Sequence, residues 1–498
     1  CLCPPQEKWL NCGFMQQTAT GNTVEFGSAT GGPWNMNTQS SYHHLIISGA
    51  AVKRINAATT TIRGNLTISN GSTFNTNTGA RTINIAGNWN NNLGGSFVEN
   101  TSTVVFNGST NNQTLNPPAG ALGETFYDLT INNTFAGGSV TATGNVTITN
   151  TRNLRMTSGI FDVGANTLSQ ASGSANLIAT GGDLRLAKLS TILPEFTGTY
   201  NITGGTITFN GSAAQTIRSL NTVPNNYHNI VLAGPGIKTL AGNITVRANW
   251  TNTGSTLAGN FTVTFAGAGT QTITNTAGES FYSVTVNTTG PLTIEGSSSV
   301  TITNTLTMTT GNINLNGRTL TLGNGAASFL TRTSGTAYGG VFRRYWPVGT
   351  IDLAGPSRYG LFPVGTDIYY RPVEIVATTN PTTAGYVSVQ QSAATTATDV
   401  AYTDNEGDAI QRITDMRSVI STTTLAGGIN SLNVTMSALS ASGATTDLKL
   451  ETLAGPPYGV GTSLATGGTT TSPIGRRTLL TVANLNNTFV IGTRNKST

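Results

Sequence analysis

The chain has 498 residues, of which 9% are charged and 60 are glycine, and its formal net charge is +5. An average globular protein carries about 25% charged residues; the few cations here form no run interleaved with aromatics, which argues against nucleic acid as a partner. No stretch approaches the ~18 consecutive apolar residues of a membrane helix, which argues against a membrane span. Because the 37% apolar residues alternate regularly with polar ones, the sequence predicts an ordered, β-rich chain.

Three cysteines, Cys1, Cys3 and Cys12, stand at the head of the chain. This clustering favours an exported protein with one local disulfide, Cys3–Cys12 or Cys1–Cys12, and one thiol left to bond a neighbouring subunit. A zinc site is disfavoured, because the cluster has no fourth ligand nearby. The start at Cys1 fits removal of a leader, although a trimmed chain would look the same. We expect residues 1–40 to form an N-terminal cap or docking segment.

A module of roughly sixty residues recurs after this segment, a size that is typical of solenoids and stacked arrays. Its clearest part is a phrase with one or two aromatic residues followed by alternating residues. The copies are SSYHHLIISG (40–49), ETFYDLTINNT (124–134), NNYHNIVLAG (225–234) and ESFYSVTVNTT (279–289). Three of them follow a second shared phrase, VVFNGSTNNQTL (104–115), ITFNGSAAQTI (207–217) or VTFAGAGTQTI (263–273).

The periodicity within one module predicts the kind of solenoid. From Thr301 to Thr309 every odd position is Thr and the even positions are mostly apolar, which is a strand pattern. The apolar residues change parity after Gly311 and again after Gly317, so we interpret Val300–Leu322 as three short strands around a common interior. This pattern predicts an all-β fold, with a right-handed parallel β-helix over residues 41–338 and about 13 rungs of about 22 residues. The side chains predicted to lie inside are Leu154, Met156, Val163, Leu306, Met308 and Leu315.

All three histidines, His43, His44 and His228, fall in copies of the aromatic phrase. Other copies place Tyr, Asp or Ser at the same positions, which indicates a structural position. A metal or catalytic role is disfavoured, because no cluster of His, Cys or carboxylate lies nearby in sequence.

Polysaccharide lyases and hydrolases are the enzymes to expect on a β-helix, and they need paired carboxylates or calcium-binding Asp groups with a base. No two carboxylates between residues 40 and 330 lie within three residues of each other, although carboxylates from different rungs could meet in space. We therefore expect no catalytic residues and no cofactor. The carboxylates in question are Asp128, Asp162, Asp183, Glu99, Glu124, Glu195, Glu279 and Glu295.

The sequence pattern changes near Gly339, where longer predicted strands, clustered aromatic residues and several arginines begin. We expect residues 339–498 to form a separate β-sandwich domain. Its acidic loop, TDNEGDA (403–409), offers Asp404, Glu406 and Asp408 to calcium but lacks a complete calcium-loop spacing. A solvated turn is the favoured interpretation, so we expect no metal site.

The phrases LFPVGTDIYYRPVEI (361–375) and TLLTVANLNNTFVIGT (478–493), together with the upstream repeats, resemble large secreted surface proteins of the Bacteroidota. The resemblance covers most of the chain through loose motifs. It implies an extracellular or cell-surface location reached through the type IX secretion system. Proteins of that kind carry a C-terminal sorting domain that is cut off on export, and the sequence cannot tell whether one was removed here.

Three classes of function fit these features. The first is a non-catalytic extracellular structural protein, either a surface adhesin or the subunit of a head-to-tail filament. The second is a carbohydrate-binding or carbohydrate-cleaving β-helix, in which Trp89 and Trp250 would meet carboxylates in a groove, although their equivalent positions favour packing. The third is binding of ice or a crystal surface by ranks of Thr such as Thr301–Thr309. We expect the first.

Overall fold

In the computed structural model, 54% of the described residues lie in strands and 2% in helical segments. The structure describes residues 18–36, 40–121, 123–189, 191–297, 299–349, 359–377, 379–393, 396–426, 432–438, 444–453, 455–464 and 467–495. The chain divides into two compact units. Unit one is Cys1–Thr245 with Thr253–Ala258, and unit two is Val246–Asn252 with Gly259–Thr498.

Short strands follow one another throughout, separated mostly by turns of a few residues. The strands up to the end of unit one are β1 Thr23–Phe26, β2 Trp34–Met36, β3 Ser41–Tyr42, β4 His44–Ile47, β5 Val52–Ile55, β6 Thr59–Ile62, β7 Leu66–Ile68, β8 Thr73–Asn75, β9 Arg81–Ile85, β10 Trp89–Asn90, β11 Ser96–Val98, β12 Ser102–Phe106, β13 Gln113–Asn116, β14 Glu124–Phe126, β15 Asp128–Asn132, β16 Ser139–Ala142, β17 Val146–Ile148, β18 Asn153–Ser158, β19 Ile160–Asp162, β20 Leu168–Gln170, β21 Asn176–Leu186, β22 Ile192–Leu193, β23 Tyr200–Phe209, β24 Gln215–Ile217, β25 Asn229–Leu232, β26 Lys238–Leu240, β27 Ile244–Val246, β28 Trp250–Asn252 and β29 Leu257–Ala258. The remaining strands are β30 Thr262–Phe265, β31 Gln271–Asn275, β32 Glu279–Asn287, β33 Leu292–Gly296, β34 Val300–Thr310, β35 Ile313–Asn314, β36 Thr319–Leu322, β37 Phe329–Arg332, β38 Ala337–Tyr338, β39 Val341–Trp346, β40 Leu361–Phe362, β41 Val373–Ala377, β42 Gly385–Ala393, β43 Thr398–Thr403, β44 Ala409–Thr423, β45 Leu432–Ser437, β46 Leu448–Thr452, β47 Thr462–Ser463, β48 Gly467–Thr469, β49 Ser472–Leu480 and β50 Asn487–Thr493.

Parallel pairing between successive rungs builds both units up to β39, and the solenoid has about 14 turns. Like residues stack in register from one rung to the next. In unit one Leu45 pairs with Leu66 and Ile47 with Ile68, and all four side chains are fully buried. A single rung cannot bury its own apolar side chains, so water is excluded from the interior only when rungs stack on one another. The predicted parallel β-helix is confirmed.

The six side chains predicted to line the interior are buried, each with at most 1% of its surface exposed. The aromatic phrase follows the same rule. Its first ring points inward, as Tyr42, Phe126, Tyr227 and Phe281 do, and the next residue is half-buried on the outside. Packing therefore explains why the phrase recurs.

The predicted three-strand rung over Val300–Leu322 differs from the observed one in where it turns. Residues Val300–Ile302 of β34 pair with β36, whereas Thr305–Met308 pair with β37, so β34 covers two sides of a rung. The corner lies at Thr303–Asn304, where the register shifts. Because Ile302 and Leu306 point inward on either side of it, this corner leaves the parity unchanged and is hidden in the sequence. Strand β36 belongs to the next rung.

The solenoid of unit two ends in an antiparallel sheet. Strand β39 pairs in parallel with β36 on one side and antiparallel with β42 on the other. The sheet continues through β44 and β50 to β46, all antiparallel. Thus β42 supplies the backbone partners that β39 would otherwise leave unpaired, which covers this edge of the solenoid.

A second antiparallel sheet runs in the order β40–β41–β45–β49–β47, with β48 on β49. Gly475 of β49 lies against Leu450 and Ile491 of the first sheet, with 3.1 Å and 3.0 Å from an ideal Cβ position to their side chains. The two sheets thus face each other, as expected for the predicted sandwich. The helical segments are a 3₁₀ turn, Thr445–Asp447, and α1, Val482–Leu485. Neither these nor any other helix of the described ranges is long and apolar enough to cross a membrane.

The observed strand pairing crosses the segment and domain boundaries that were expected from the sequence. Parallel pairing begins at β1, which pairs with β4, so residues 23–36 already belong to the solenoid rather than to a separate segment ending at residue 40. The two compact units divide between residues 245 and 259, inside the repeats, and β39 continues the solenoid sheet past the expected boundary at residue 339. Cys1, Cys3 and Cys12 lie outside the described residues, so their pairing stays a prediction.

Candidate functional site

His43 and His44 occupy the outward positions of the first aromatic phrase. The Nδ1 atom of His44 accepts a hydrogen bond from the Asn65 backbone N–H at 2.9 Å, and the two imidazole rings meet edge to face, with centroids 4.4 Å apart. Burial lowers the pKa of His44, and the neighbouring His43 lowers it further. The neutral ring that accepts this hydrogen bond is therefore favoured.

His228 follows the fully buried Tyr227 in another copy of the phrase, and burial lowers its pKa as well. Among the described residues, the one group of three or more potential ligands close enough to share a metal ion is Asp404, Glu406 and Asp408. No histidine belongs to it. The contacts of His43 and His44 are those of side chains that pack on the rungs and hydrogen-bond to their backbone.

A buried polar triad lies inside unit one, formed by Trp89, Asn91 and Glu124. The Glu124 Oε2 atom accepts hydrogen bonds from the Trp89 indole N–H at 2.7 Å and from the Asn91 amide at 2.9 Å. Burial raises the pKa of Glu124 to about 7. The two hydrogen bonds lower that pKa, and Glu99 nearby raises it. Phe97 and Phe126 pack against the indole, with ring centroids 4.8 Å and 5.4 Å away.

The same triad recurs in unit two as Trp250, Asn252 and Glu279. The Glu279 Oε2 atom accepts from the Trp250 indole at 2.6 Å and from the Asn252 amide at 3.0 Å. Burial again raises the pKa of the carboxyl to about 7, against the lowering effect of these bonds and of one from the Ser280 N–H. Phe281 packs edge to face on the indole, with ring centroids 5.1 Å apart.

These triads place both tryptophans next to carboxylates, but in the interior of the rungs rather than in a groove. Trp89 and Trp250 have no exposed surface, so neither can stack on a sugar. The expectation that they pack is confirmed. The sequence does carry a signal for the triads beyond the alternation pattern, because NWNN (88–91) and NWTN (249–252) both place an Asn two residues after the Trp.

A second repeated contact lies at a corner of the rungs. It explains why the second shared phrase of the module contains a glutamine followed by a threonine. Gln113, Gln215 and Gln271 are each at most 1% exposed. Each side-chain oxygen accepts from a glycine N–H a few residues earlier, at 2.7 to 2.8 Å. Each side-chain amide also donates to two carbonyls of the preceding rung. Each glutamine thus provides hydrogen-bond partners for the backbone N–H and C=O groups of a corner, which would otherwise be buried unpaired.

Two buried lysines likewise provide hydrogen bonds to backbone carbonyls at other corners. Lys53 donates from Nζ to the carbonyls of Ser28, at 2.8 Å, and Gly49, at 2.7 Å, and also contacts that of Ser48. Lys238 donates to Gly211 and Gly236, at 2.9 Å and 3.0 Å. Burial lowers the pKa of both amines. Their carbonyl partners identify them as structural donors, as the repeat pattern alone did not.

Four further carboxylates of the solenoid hold neighbouring groups. Asp128 accepts from both the backbone and the side-chain amide of Asn153, and Asp162 accepts from the Gly164 N–H. Asp183 bonds both Arg185 and Thr208, at 2.7 Å each, and Glu195 bonds Lys188 at 2.6 Å. These are the contacts of rung-stabilising side chains rather than of a pair facing an open cleft.

The acidic loop of the C-terminal sheets folds around a lysine amine. Asp404 Oδ1 accepts from the backbone N–H groups of Glu406, at 2.9 Å, and Asp408, at 2.8 Å, which shapes the turn. The Lys449 Nζ lies 3.0 Å from Asp404 Oδ2 and 2.8 Å from Glu406 Oε2, and it also contacts Asp408 Oδ2. The ammonium group supplies the positive charge that a calcium ion would otherwise bring.

Arg477 extends this network into the interior, where its side chain is fully buried. It donates to Glu451 Oε1 at 2.9 Å and to Asn405 Oδ1 at 3.1 Å, and it also contacts the carbonyls of Leu450 and Gly459. Burial is the main cause that raises the pKa of Glu451 to about 7. The network ties the acidic loop to strands β46 and β49, so its chemistry is that of a structural clamp.

Threonines stack in register on an outer side of unit two. Thr264, Thr285, Thr307 and Thr331 occupy four successive rungs. The adjacent row reads Thr262, Ser283, Thr305 and Phe329, so an aromatic side chain interrupts it. The Thr rank is therefore real but short, and binding of ice or a crystal surface stays a prediction.

A void of about 10 Å³ lies inside the solenoid of unit two. Aliphatic side chains such as Ile273, Val284 and Leu306 line it. Small-molecule sites usually enclose about 300 to 1,000 Å³ and present a few polar groups. This void is a packing defect between rungs rather than a ligand site.

No protein-family model matches the chain, and no curated protein or solved structure was found to be similar to it. The β-solenoid is shown by the structure itself, and the resemblance to Bacteroidota surface proteins remains an expectation from the sequence.

Proposed function

We propose that this chain is a non-catalytic extracellular structural protein, either a surface adhesin or the subunit of a head-to-tail filament. The observation that carries the proposal is the engagement of six of the eight solenoid carboxylates named above. Glu124 and Glu279 are buried on indole and amide donors, and Asp128, Asp162, Asp183 and Glu195 hold neighbouring rungs. Carboxylates held in this way stabilise the rungs of the solenoid and are poorly placed to act on a substrate.

The two chain ends supply the contacts in this proposal. An open solenoid rung leaves backbone N–H and C=O groups that are either covered or available to another chain. We propose that the N-terminal segment of one subunit docks on the C-terminal domain of the next, with a cysteine near the terminus able to form a bond between subunits. A surface this poor in charge offers little repulsion against such assembly.

Deleting residues 1–12 tests the assembly. We expect the intact chain to increase in mass with concentration in sedimentation or light scattering, and the deletion to stay monomeric. A matched chain with Cys1, Cys3 and Cys12 changed to Ser separates the thiols from the segment, since it keeps the length. An intact chain that is monomeric at high concentration, and a deletion that changes stability alone, would refute the filament.

Absence of glycan cleavage is the second expectation of this proposal. Incubation with a panel of neutral and acidic polysaccharides should release neither reducing ends nor unsaturated sugars. Release that disappears when one carboxylate, such as Glu279, is changed to Gln would show an enzyme instead. For the location, labelling intact producing cells with an antibody to the chain should give surface signal without permeabilisation.

A further inference from the structure

The outward face of the C-terminal sheet carries a polar and aromatic array on strands β39, β42 and β44. We call it the Arg–Tyr face. Strand pairing places Arg343 beside Ser388 and Ser421, and Tyr345 beside Tyr386 and Thr423. The same face continues along β42 and β44 with Gln390, Ser392, Arg417 and Val419. The residues that alternate with these, such as Phe342, Val387 and Ile420, are buried between the sheets.

Aromatic and cationic groups are stacked at one end of this face. The Arg343 guanidinium lies 3.8 Å from the centroid of the Tyr386 ring, and the Tyr345 ring meets Tyr386 edge to face at 5.3 Å. The Tyr386 hydroxyl donates to Asn324 Oδ1 at 3.4 Å. These contacts fix two aromatic rings and a guanidinium against one another at the surface of the sheet.

The two arginines of this face, Arg343 and Arg417, have no anionic partner among the described residues. Within the described ranges neither Arg343 nor Arg417 forms a salt bridge, and the Nε atom of each is buried without a hydrogen-bond partner. By contrast, Arg412, Arg477 and Arg494 each pair with a carboxylate. Asp415 is the carboxylate nearest to Arg417 along the strand, two residues earlier, and its Oδ1 is buried.

We propose that the Arg–Tyr face binds a linear anionic polysaccharide, one whose charge comes from uronate carboxylates. Planar guanidinium groups pair with carboxylates through two parallel hydrogen bonds, so two arginines without anionic partners favour a ligand that brings its own carboxylates. The Ser388, Gln390 and Ser392 side chains lie between them and offer hydrogen bonds to sugar hydroxyls. The rings of Tyr345 and Tyr386 add an apolar contact at one end of the face.

The spacing of the two arginines favours a glycan over a nucleic acid. They lie two strands apart and, through their partners Ser388 and Ser392, four residues apart along β42. With about 4.8 Å between strands and about 3.3 Å per residue, their Cα atoms are roughly 16 Å apart. A nucleic acid carries closely spaced phosphates and selects dense basic tracks. Two isolated cations do not form such a track, and they suit a sugar chain whose other contacts come from its hydroxyl groups. The proposal goes beyond the structural role above, because a single subunit suffices for it.

Binding of polygalacturonate, measured by calorimetry on the full chain, tests this proposal. We expect Arg343→Gln and Arg417→Gln each to weaken binding about tenfold, the usual effect of losing one charge-assisted hydrogen bond. Tyr386→Ala should weaken it as well, and added salt should weaken binding by the intact chain. Arg155→Gln, which removes one charge from the solenoid of unit one, is the matched control and should bind as the intact chain does. A thermal melt of each variant confirms folding.

Two further ligands complete the test. Neutral dextran should bind at least tenfold more weakly than polygalacturonate, and a single-stranded oligonucleotide should not compete. The proposal is overturned by an intact chain that binds no uronate polymer, by equal affinity in the Arg343 and Arg417 variants, or by preference for the oligonucleotide. None of these outcomes depends on whether the chain assembles, so failure here leaves the filament proposal standing.

Discussion

Glu124 and Glu279 show how an acid can be held in the interior of a solenoid rung. Each accepts two side-chain hydrogen bonds, from an indole and an amide, and no cation is among the causes that set its pKa. A carboxylate buried without a cation is costly, so the neutral form is favoured and the pKa rises. The triads thus make part of the solenoid core sensitive to pH.

We expect stability to fall as the pH rises through the pKa of these two groups. Because their pKa is about 7 when folded and 4.5 is the reference value, the folded state holds the proton more tightly. Their contribution is therefore fully present below about pH 4.5 and is lost as the pH rises to about 7. At about 1.36 kcal/mol per pKa unit, the loss is about 3 kcal/mol for each group.

The measurement is the free energy of unfolding in urea at pH 5 and pH 8. The intact chain should be more stable at pH 5, and the double change Glu124→Gln and Glu279→Gln should remove most of the difference. Glu295→Gln, at a half-exposed acid in the solenoid, is the control that keeps it. Equal pH dependence in the double variant and the intact chain would contradict this prediction.

Lys449 holds three carboxylates together, and its loss should be far more damaging than loss of a surface partner. In Lys449→Met the buried Asp404 loses its ammonium neighbour at 3.0 Å while Glu406 and Asp408 stay close. Breaking a buried pair in this way usually costs about 3 to 5 kcal/mol. Lys188→Met breaks the partly exposed pair with Glu195 and should cost less than about 1 kcal/mol. Unfolding in urea compares the two, and similar losses would argue against the clamp.

At the scale of the element, a rung is stabilised by what its neighbours place against its inward face. Leu306 is fully buried and pairs with Val284 on one side and Leu330 on the other. Thr307, the next residue, points outward and stacks between Thr285 and Thr331. The two positions therefore differ in environment although they are adjacent in one strand.

We expect Leu306→Asp to destabilise the chain by several kcal/mol, because an unpaired charge replaces packed hydrocarbon. Thr307→Asp should change stability by less than about 1 kcal/mol, since the new carboxylate stays in water. Thermal unfolding followed by circular dichroism measures both. If the two substitutions had equal effects, the inward and outward assignment of β34 would be wrong.

The elements also show what alternation along the sequence can and cannot predict. Parity placed Leu306 and Met308 inside correctly, because strand side chains alternate strictly. It missed the corner at Thr303–Asn304, since three consecutive outward residues, 303–305, leave the parity as it was. A turn that restores the alternation cannot be read from the alternation itself.

At the scale of the whole molecule, the contacts that define the sites join residues far apart in the chain. Glu124 meets Trp89 across 35 residues, and Lys449 meets Asp404 across 45. The repeat predicted that rungs stack, but the sequence does not give the register that sets which side chains meet. For this reason the solenoid and its inward residues could be predicted, whereas the corner in β34, the triads, the corner lysines and the clamp could not.

Strand β39 has a consequence for how such a protein can vary in length. It pairs in parallel with β36 of the solenoid and antiparallel with β42 of the sandwich, and the last rungs add contacts of their own, such as the Ala337 N–H that donates to the Pro363 carbonyl. A chain that gained or lost one whole rung upstream would therefore offer the sandwich the same last strand, with the same partners. We expect duplication of one rung to leave the C-terminal sheets undisturbed. The solenoid could then lengthen in steps of about 4.8 Å while the surface of the C-terminal sheets stays unchanged.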